Sequence, residues 1–355
     1  MWRLVLTVSL LCWSSEGQVT CRDNQDKAVD WFILYKEPKL KTGLEYLYID
    51  SATKWPPPVY ENIKDPKGVL ANTLRPFFKL IRSMDPKFGF ISYSDQPPGC
   101  SAKSDFGHSK GVVMVEKDQT GVWLLHSTPQ FPFRRNKNKF WPDSGETNAQ
   151  MFICVTFPYN EFSKIGKHLQ SIGAFPFEHD IPDSFHQELQ DAANWVQSDT
   201  PLNRPTFQEL KSSGHQIFRS FAKRQSEKPE VGDLYYTIAK ELSSDVYVQY
   251  WNCREDDSYC GTDIKVSNVV TKNTPLGTWD TSDHSKWCVA KDQNKHWSCV
   301  ADMNRAVTQY KRRGGALCIV QNEQVQQIFL KFVGNSEDCP PKKKRKTNDC
   351  RSDMS

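Results

Sequence analysis

The chain has 355 residues, of which 12% are aromatic and 25% charged, and its formal net charge is +4. This length and aromatic content exclude a disordered polypeptide and allow two domains, or one domain built from two similar halves. Residues 342–346 hold five positive charges, which leaves the rest of the chain with a formal charge of −1. A surface that binds an acidic partner must therefore be a local patch.

The N-terminus has the pattern of a secretory signal peptide. Arg3 provides the positive start, and Leu4–Trp13 is an apolar run of about ten residues, too short to span a bilayer. Small residues follow it, so we predict a signal peptide over residues 1–17. No later stretch is long and apolar enough to span a membrane, so we expect a secreted protein with no membrane span.

Residues 18–200 are predicted to form the N-terminal half. Strands are expected at 29–35, 44–49, 88–93, 110–115, 121–125 and 151–157, and helices at 68–81 and 161–172. The first of these helices carries Pro76, which opposes a continuous helix. A polar, proline-punctuated stretch over 176–212 follows, and we place the junction between the halves within it, near residue 200.

Residues 201–340 are predicted to form the C-terminal half. We expect helices at 214–222, 231–242 and 323–332, strands at 246–251 and 316–321, and a second hairpin around Trp287–Val289. Residues 255–280 have few strand signals and are predicted to be a polar loop. The strand at 246–251 alternates like the one at 29–35, and both halves continue with a hairpin, a strand and a helix. This order predicts a duplicated α+β unit.

A His-Ser-Lys motif occurs twice, once before each hairpin. His108 and Lys110 belong to the first copy, and His284 and Lys286 to the second; each copy is followed by Lys-Asp-Gln and, six residues past that Lys, by Trp. A single His-x-Lys is common, but the repeated downstream residues raise the match above chance. Residues i and i+2 of a strand point to the same face, so imidazole and ammonium emerge side by side. Two hairpins that face each other would bring both pairs to one spot.

These four side chains suit the cleavage of a phosphodiester. Two lysines can hold the phosphate as point charges, while one histidine attacks phosphorus and the other protonates the leaving oxygen, in an order that the sequence leaves open. The expected enzyme therefore needs no metal ion and no cofactor. His126 and Asp302, each 18 residues after a motif histidine, and Asn304 are supporting candidates. Their alternatives are a hydrogen-bonded core histidine and a turn after a strand.

At these residues the chain resembles the deoxyribonuclease II family of acid DNases. The resemblance is carried by residues 29–32, 95–98, 107–111, 123–127, 283–289, 297–305 and 314–318, which follow the family's order from about residue 19 to residue 339. It implies a phospholipase D-like fold of the α+β class. Such a fold is a pseudo-dimer of two similar β-sheet and helix halves, and each half supplies one His-x-Lys.

The resemblance also implies an activity. The expected reaction is endonucleolytic hydrolysis of double-stranded DNA to 3′-phosphate ends, through a phosphohistidine intermediate and at acid pH. DNA is the expected partner. The family resemblance alone is the reason to consider a homodimer, and its venom-type members are the reason to consider a toxin role. Two other classes stay open. One is a phospholipase D-like lipid phosphodiesterase, because the same His-Lys pairs serve lipid cleavage; the other is a non-catalytic DNA-binding secreted protein.

Ten of the 11 cysteines lie outside the predicted signal peptide. An even number in a secreted chain favours disulfides, but the connectivity cannot be read from the spacing. The family resemblance implies the pairs Cys21–Cys154 and Cys299–Cys318. It further implies that Cys339 pairs with Cys260 or Cys253, and it leaves Cys288 as a candidate free thiol.

Two basic stretches lie outside the repeated motif. Residues 131–141 interleave aromatic and basic side chains, which suits a nucleic-acid groove or, equally, a solvated loop. Residues 341–355 form a basic tail, in which 341–346 match a nuclear import signal; a solvated arm that binds acidic surfaces is the alternative. The sequence has no Asn-x-Ser/Thr sequon, unlike glycosylated lysosomal family members. We therefore expect secretion, with a lysosomal destination as the alternative.

Overall fold

The computed structural model describes residues 18–100, 105–198, 207–223, 225–251, 256–337 and 339. The predicted signal peptide, the junction near residue 200 and the basic tail lie outside the described residues.

The N-terminal half is built on an antiparallel sheet. Its strands are β1 (Cys21–Arg22), β2 (Ala28–Val29), β3 (Trp31–Lys36), β4 (Tyr46–Asp50), β5 (Val59–Tyr60), β6 (Phe88–Ser94), β7 (Lys110–Glu116), β8 (Thr120–His126), β9 (Gln150–Pro158) and β10 (Pro176–Asp180). Its helices are α1 (Val69–Thr73), α2 (Phe162–Ser171) and α3 (Gln187–Ala193). The main sheet has the order β10-β6-β7-β8-β9-β3-β4-β5, and β1 pairs with β2 separately.

The C-terminal half is built on a second sheet. Its strands are β11 (Phe207–Lys211), β12 (Ile217–Ala222), β13 (Val246–Gln249), β14 (Tyr259–Cys260), β15 (Lys265–Thr274), β16 (Gly277–Trp279), β17 (Trp287–Ala290), β18 (Trp297–Ala301), β19 (Gly315–Val320) and β20 (Val333–Ser336). Its helices are α4 (Pro229–Gly232), α5 (Leu234–Glu241), α6 (Val307–Tyr310) and α7 (Glu323–Phe332). The order is β11-β12-β19-β18-β17-β13-β15-β14, with β16 and β20 paired to β15.

Three predicted elements differ from the structure. The helix predicted at 68–81 is only α1 followed by short 3₁₀ turns, because Pro76 has no N–H to continue an α-helix. The helix predicted at 214–222 is wrong: this segment contains β12, whose residues pair with β11 on one side and β19 on the other. The polar loop predicted at 255–280 contains β15. Several of its polar side chains are buried and bond inside the protein, as Asn268 does to Arg305 at 2.5 Å.

The two sheets share one topology. The strand order β6-β7-β8-β9-β3 in the first is matched by β13-β17-β18-β19-β12 in the second, and every neighbouring pair in both is antiparallel. Helix α2 follows β9, and α7 follows β19. The predicted α+β class is confirmed. The counterpart of β3 is β12, however, and not the strand at 246–251 that its alternation suggested.

The core lies in three layers. The central layer packs the facing sides of both sheets against α2 and α7, with Trp123, Phe218, Trp287 and Phe329 all buried. The outer side of the first sheet is covered by the α1 segment, and that of the second by α5. Burial of this apolar surface fixes the two halves against each other. Strand β7, which begins at Lys110, and strand β17, which follows Lys286, both contribute side chains to this central layer.

Three disulfides are present among the described residues. They are the pairs implied by the family resemblance, and Cys260 is the partner of Cys339: Cys21–Cys154, Cys260–Cys339 and Cys299–Cys318. Cys288 is a buried free thiol and Cys100 an exposed one. This pattern is typical of an oxidising compartment. Within the described part of the chain, no helix is both long and apolar enough to cross a bilayer.

Candidate active site

The two His-x-Lys motifs lie at equivalent strand ends and are each held by the opposite half. Lys110 is the first residue of β7, and Lys286 immediately precedes β17. The backbone N–H of His108 donates to Arg313 O at 2.7 Å, and the N–H of His284 donates to Ala149 O at 2.9 Å. Both motifs therefore have their final geometry only when the two halves are packed together.

The His108 ring is oriented by a backbone carbonyl of the C-terminal half. Its Nδ1 lies 2.7 Å from Asp302 O, and since a carbonyl oxygen only accepts, Nδ1 carries the proton. Nε2 then holds the lone pair of the neutral ring, 4.0 Å from Asp95 Oδ2. Burial lowers the pKa of His108 well below its ordinary value; Lys110 adds to this effect, and Asp95 opposes it. The ring is poised as a neutral base or nucleophile.

Asp95 joins the cations of the two halves, although the sequence did not single it out as a site residue. Its buried carboxylate accepts from Lys110 Nζ at 2.5 Å and from Arg312 Nη2 at 3.1 Å. Burial by itself would raise the pKa of Asp95, but Lys110, His108 and Arg312 hold it well below its ordinary value. The sequence did hold a signal for Asp95, because it belongs to the block 95–98 that carries the family resemblance. In the structure Asp95 directly follows β6, where Ser94 pairs with Lys110.

His284 has a different neighbour. Continuing the β13–β17 register places Trp251 where Asp95 lies in the first half, and the Trp251 and His284 rings are 5.0 Å apart. Burial lowers the pKa of His284 to about 3, and Lys286 contributes further. Its Nε2 is buried and has no hydrogen-bond partner among the described residues. The hydrogen-bonding capacity of this nitrogen is therefore unused within the described part of the chain.

The two lysines make the site attractive to an anion. Lys286 Nζ donates to His284 O at 2.9 Å. Burial lowers the pKa of Lys286 to about 7, and the next contribution is repulsion from Lys110. Lys110 also lowers the pKa of His284, as Lys286 does that of His108, so all four groups share one electrostatic field. An anion that binds between the ammonium groups would relieve this repulsion.

Asp283 anchors the second motif across the boundary between the halves. Its Oδ2 accepts from Tyr35 Oη at 2.6 Å and from Trp279 Nε1 at 2.8 Å, and its Oδ1 accepts from Ser285 N at 2.9 Å. Burial and Asp283 raise the pKa of Tyr35 well above its ordinary value, so the phenol stays a donor. Asp283 is a positioning residue that sequence analysis did not identify, because Tyr35 is 248 residues away.

The structure places His126 in the core beside Lys110. Its buried ring packs on Phe131 at 4.9 Å and on Phe152 at 5.5 Å between centroids. Burial lowers its pKa well below the ordinary value, and Lys110 adds to the effect. The β7–β8 register puts His126 opposite Lys110, whereas Ala301 N donates to Lys286 O in the second half. The equal spacing of 18 residues therefore does not make Asp302 the counterpart of His126.

Asp302 and Asn304 lie around the two histidines. The carboxyl group of Asp302 is buried, accepts from Gly315 N at 3.3 Å and has its pKa raised well above the ordinary value by burial. Its own carbonyl orients His108. Asn304 Oδ1 accepts from Trp251 N at 3.3 Å, which fixes the indole that packs on His284. Asp302 thus contacts His108 through its carbonyl, and Asn304 contacts the residue that packs on His284.

The chain is similar to proteins of one family over most of its length. The family model "Deoxyribonuclease II" matches residues 20–339. Human deoxyribonuclease-2-beta is 32% identical over 90% of this chain and 92% of its own. Plancitoxin-1 of Acanthaster planci is 32% identical over 95% and 97%, and mouse deoxyribonuclease-2-alpha 31% over 94% and 97%. The structure of yeast tyrosyl-DNA phosphodiesterase matches 65% of this chain and 71% of its own at 12% identity. Its TM-score of 0.33 is too low to show a common fold.

Proposed function

The chain belongs to the deoxyribonuclease II family, and we propose that it is an endonuclease that hydrolyses double-stranded DNA without a metal ion. One observation carries the mechanism: two partly buried imidazoles and two lysines from different halves influence one another electrostatically, and each histidine is hydrogen-bonded to the opposite half. In this arrangement the lysines bind the phosphate and the histidines move the proton and form the covalent bond. The protein's own side chains supply every catalytic group.

In the first step His108 is the nucleophile. Its Nε2 lone pair forms a bond to phosphorus while the P–O5′ bond breaks, and His284 gives a proton to the leaving O5′. The ring of His108 becomes cationic as this bond forms, and Asp302 O at Nδ1 together with Asp95 stabilises that charge. Lys110 and Lys286 neutralise the phosphate oxygens.

In the second step water hydrolyses the phosphohistidine. His284, now neutral, takes a proton from the attacking water, and the bond between phosphorus and His108 Nε2 breaks. The products are a 3′-phosphate and the original enzyme. The two roles follow from the neighbours: His108 has its Nδ1 proton fixed by a carbonyl, and His284 has an unpartnered Nε2.

We expect the optimum of DNA cleavage on the acid side of the ordinary histidine pKa of about 6.5. The nucleophile must be neutral, so the rate falls below the pKa of His108; the acid must be protonated, so the rate falls above the pKa of His284. Burial lowers both pKa values. Bound phosphate raises the pKa of His284, but it does so from the low value that burial sets.

The corresponding experiment is plasmid cleavage in EDTA from about pH 4.5 to 7.5, with analysis of the termini. We expect 3′-phosphate ends and fastest cutting at acid pH. Loss of all cutting in EDTA would contradict metal-independent chemistry, and an optimum above neutrality would contradict the assigned protonation states. Binding of DNA without cutting would favour the non-catalytic alternative. Hydrolysis of phosphatidylcholine vesicles with intact plasmid would favour the lipid phosphodiesterase.

Replacing Asp95 with asparagine should lower kcat by about 10- to 100-fold, the range for losing a charged hydrogen-bond partner. The substitution keeps the shape but removes the charge that Lys110 and Arg312 meet. Asp95 also raises the pKa of His108, so the acid limb of the pH profile should move to lower pH.

The matched control for Asp95→Asn is Asp85→Asn, at an exposed aspartate of the same half. We expect wild-type kcat and an unchanged pH profile for this control. A drop in kcat for Asp95→Asn with no movement of the acid limb would mean that Asp95 does not act through His108.

We further propose that the protein is secreted after removal of residues 1–17. The disulfides support a secreted or lysosomal destination, and the lack of an N-glycosylation sequon favours secretion. N-terminal sequencing of protein from the medium should begin at Gln18; retention in an acidic organelle would favour the lysosomal alternative.

Homodimer formation, carried over from the family resemblance, is checked by measuring the mass of the protein in solution. A toxin role, or nuclear entry through residues 341–346, is tested by adding the protein to cells.

A further inference from the structure

We infer that a cavity beside the catalytic end of the first sheet is a subsite for one nucleobase of the DNA strand being cut. This inference rests on the proposed function and deepens it. The cavity has a volume of about 660 Å³. It is lined by aromatic, amide and charged side chains, chiefly Gln130, Phe133, Asn138, Lys139, Trp141 and Asp143.

The cavity is formed mainly by the loop between β8 and β9. This loop, residues 127–149, begins directly after β8, whose last residue lies opposite Lys110. It ends at Ala149, whose carbonyl accepts the N–H of His284. Within the loop, Gln130 N donates to Gln96 O at 2.9 Å, next to Asp95. The cavity wall is therefore continuous with the backbone of the active site.

The aromatic residues of the loop divide into two groups. Phe131 and Phe140 are buried in the outer core of the first sheet and serve its packing, although Phe140 also borders the cavity. Phe133 is half-buried, lines the cavity and has the guanidinium of Arg134 4.7 Å from its ring centroid. A base stacks on such a ring whatever its identity, because every base has a π-face. The basic and aromatic stretch thus contributes one stacking ring to the cavity.

The remaining wall is fixed by Trp141. A Cβ at Gly145 would lie only 2.7 Å from Cζ2 of the indole, so the ring rests directly on this glycine. The Trp141 side chain is buried in the same outer core cluster as Phe131. The cavity therefore has one rigid aromatic wall and one partly exposed aromatic ring.

The charges favour a base over a phosphate. Lys64 and Glu146 at the rim neutralise each other across 2.8 Å, and Lys139 is balanced by Asp143. A pocket for phosphate would need a net positive charge. The amides of Gln130 and Asn138 instead offer both donors and acceptors to a base edge. Arg134 and Lys137 on the same loop are exposed.

The test uses end-labelled duplexes that each carry one abasic residue, cut by the full-length protein and mapped at every phosphate. Wild type should cut about tenfold less at one fixed offset from the abasic residue, the loss expected for one base–aromatic stack. Phe133→Ala should cut intact DNA more slowly and lose this offset-specific gap. Phe133→Leu keeps the apolar volume but has no π-face, so it controls for misfolding of Phe133→Ala. It should also cut intact DNA more slowly and lose the offset-specific gap.

Phe207→Ala is the matched control, because Phe207 also carries an arginine, Arg219, 4.7 Å from its ring but lies on β11, away from the cavity. Phe207→Ala should still show reduced cutting at the fixed offset from the abasic residue. A gap that persists in both Phe133 variants, or no gap in wild type, would overturn the subsite. Hydrolysis of bis(4-nitrophenyl) phosphate by wild type checks the catalytic groups separately from cleavage of DNA. If wild type hydrolyses neither substrate, the proposed function itself is overturned.

Discussion

His108→Ala should reduce the rate of DNA cleavage by about 10⁴-fold or more, because it removes the nucleophile on which both chemical steps depend. His284→Ala should reduce DNA cleavage by a similar factor, since O5′ is a poor leaving group without an acid. The two variants should differ on bis(4-nitrophenyl) phosphate, whose leaving group needs no proton. His284→Ala should then release one equivalent in a burst and stall at the phosphohistidine.

The measurement is stopped-flow release of nitrophenolate together with intact-mass analysis of the protein. We expect a phosphoryl adduct on His108 in His284→Ala and no adduct in His108→Ala. An adduct on His284 in His108→Ala would mean that His284 is the nucleophile and His108 the acid. If neither variant forms an adduct, the covalent mechanism is excluded. His179→Ala, at an exposed histidine on β10, is the control and should retain wild-type rates.

Arg305→Met should lower the free energy of unfolding by about 3–5 kcal/mol, the cost of leaving a buried charge without its partner. Both Arg305 and Asp233 are buried, and Arg305 Nε donates to Asp233 Oδ2 at 2.8 Å. Asp233 also caps α5 by accepting from Tyr235 N at 2.8 Å. For a chain of this size we expect Tm to fall by about 4–7 °C.

A second substitution separates charge from packing. Adding Asp233→Asn to Arg305→Met removes the unpaired charge and keeps a good N-cap, so part of the lost Tm should return. Lys311→Met is the control, because Lys311 and Glu227 form an exposed ion pair whose loss costs little. Calorimetry of the three variants checks this; a single Arg305→Met that melts with wild type would show that the pair does not stabilise the fold.

Local pattern was sufficient where an element's own residues decide its conformation. Helix α7 was predicted at 323–332 and has those bounds, because an apolar stripe follows Asn322, whose side chain accepts from Val325 N as an N-cap. The hairpin β7–β8 was predicted from two apolar runs and the Lys-Asp-Gln stretch near the turn between them. Pattern failed for β12 and β15, whose strand character depends on neighbours far away in the sequence.

The sequence alone singled out the reacting groups that we propose. The repeated motif indicates His108, Lys110, His284 and Lys286, because the same residue types recur at the same spacing beside two similar hairpins. Their residue types limit the chemistry to acid–base and nucleophilic work on an anion.

Only the tertiary structure decided what each histidine meets. His108 faces Asp95 and His284 packs on Trp251, although the two motifs are alike in sequence. Arg312 reaches Asp95 across 217 residues of chain, and no local periodicity encodes such a contact. The physical reason is that pKa and orientation are set by burial and by neighbouring charges, which exist only once the two sheets pack face to face.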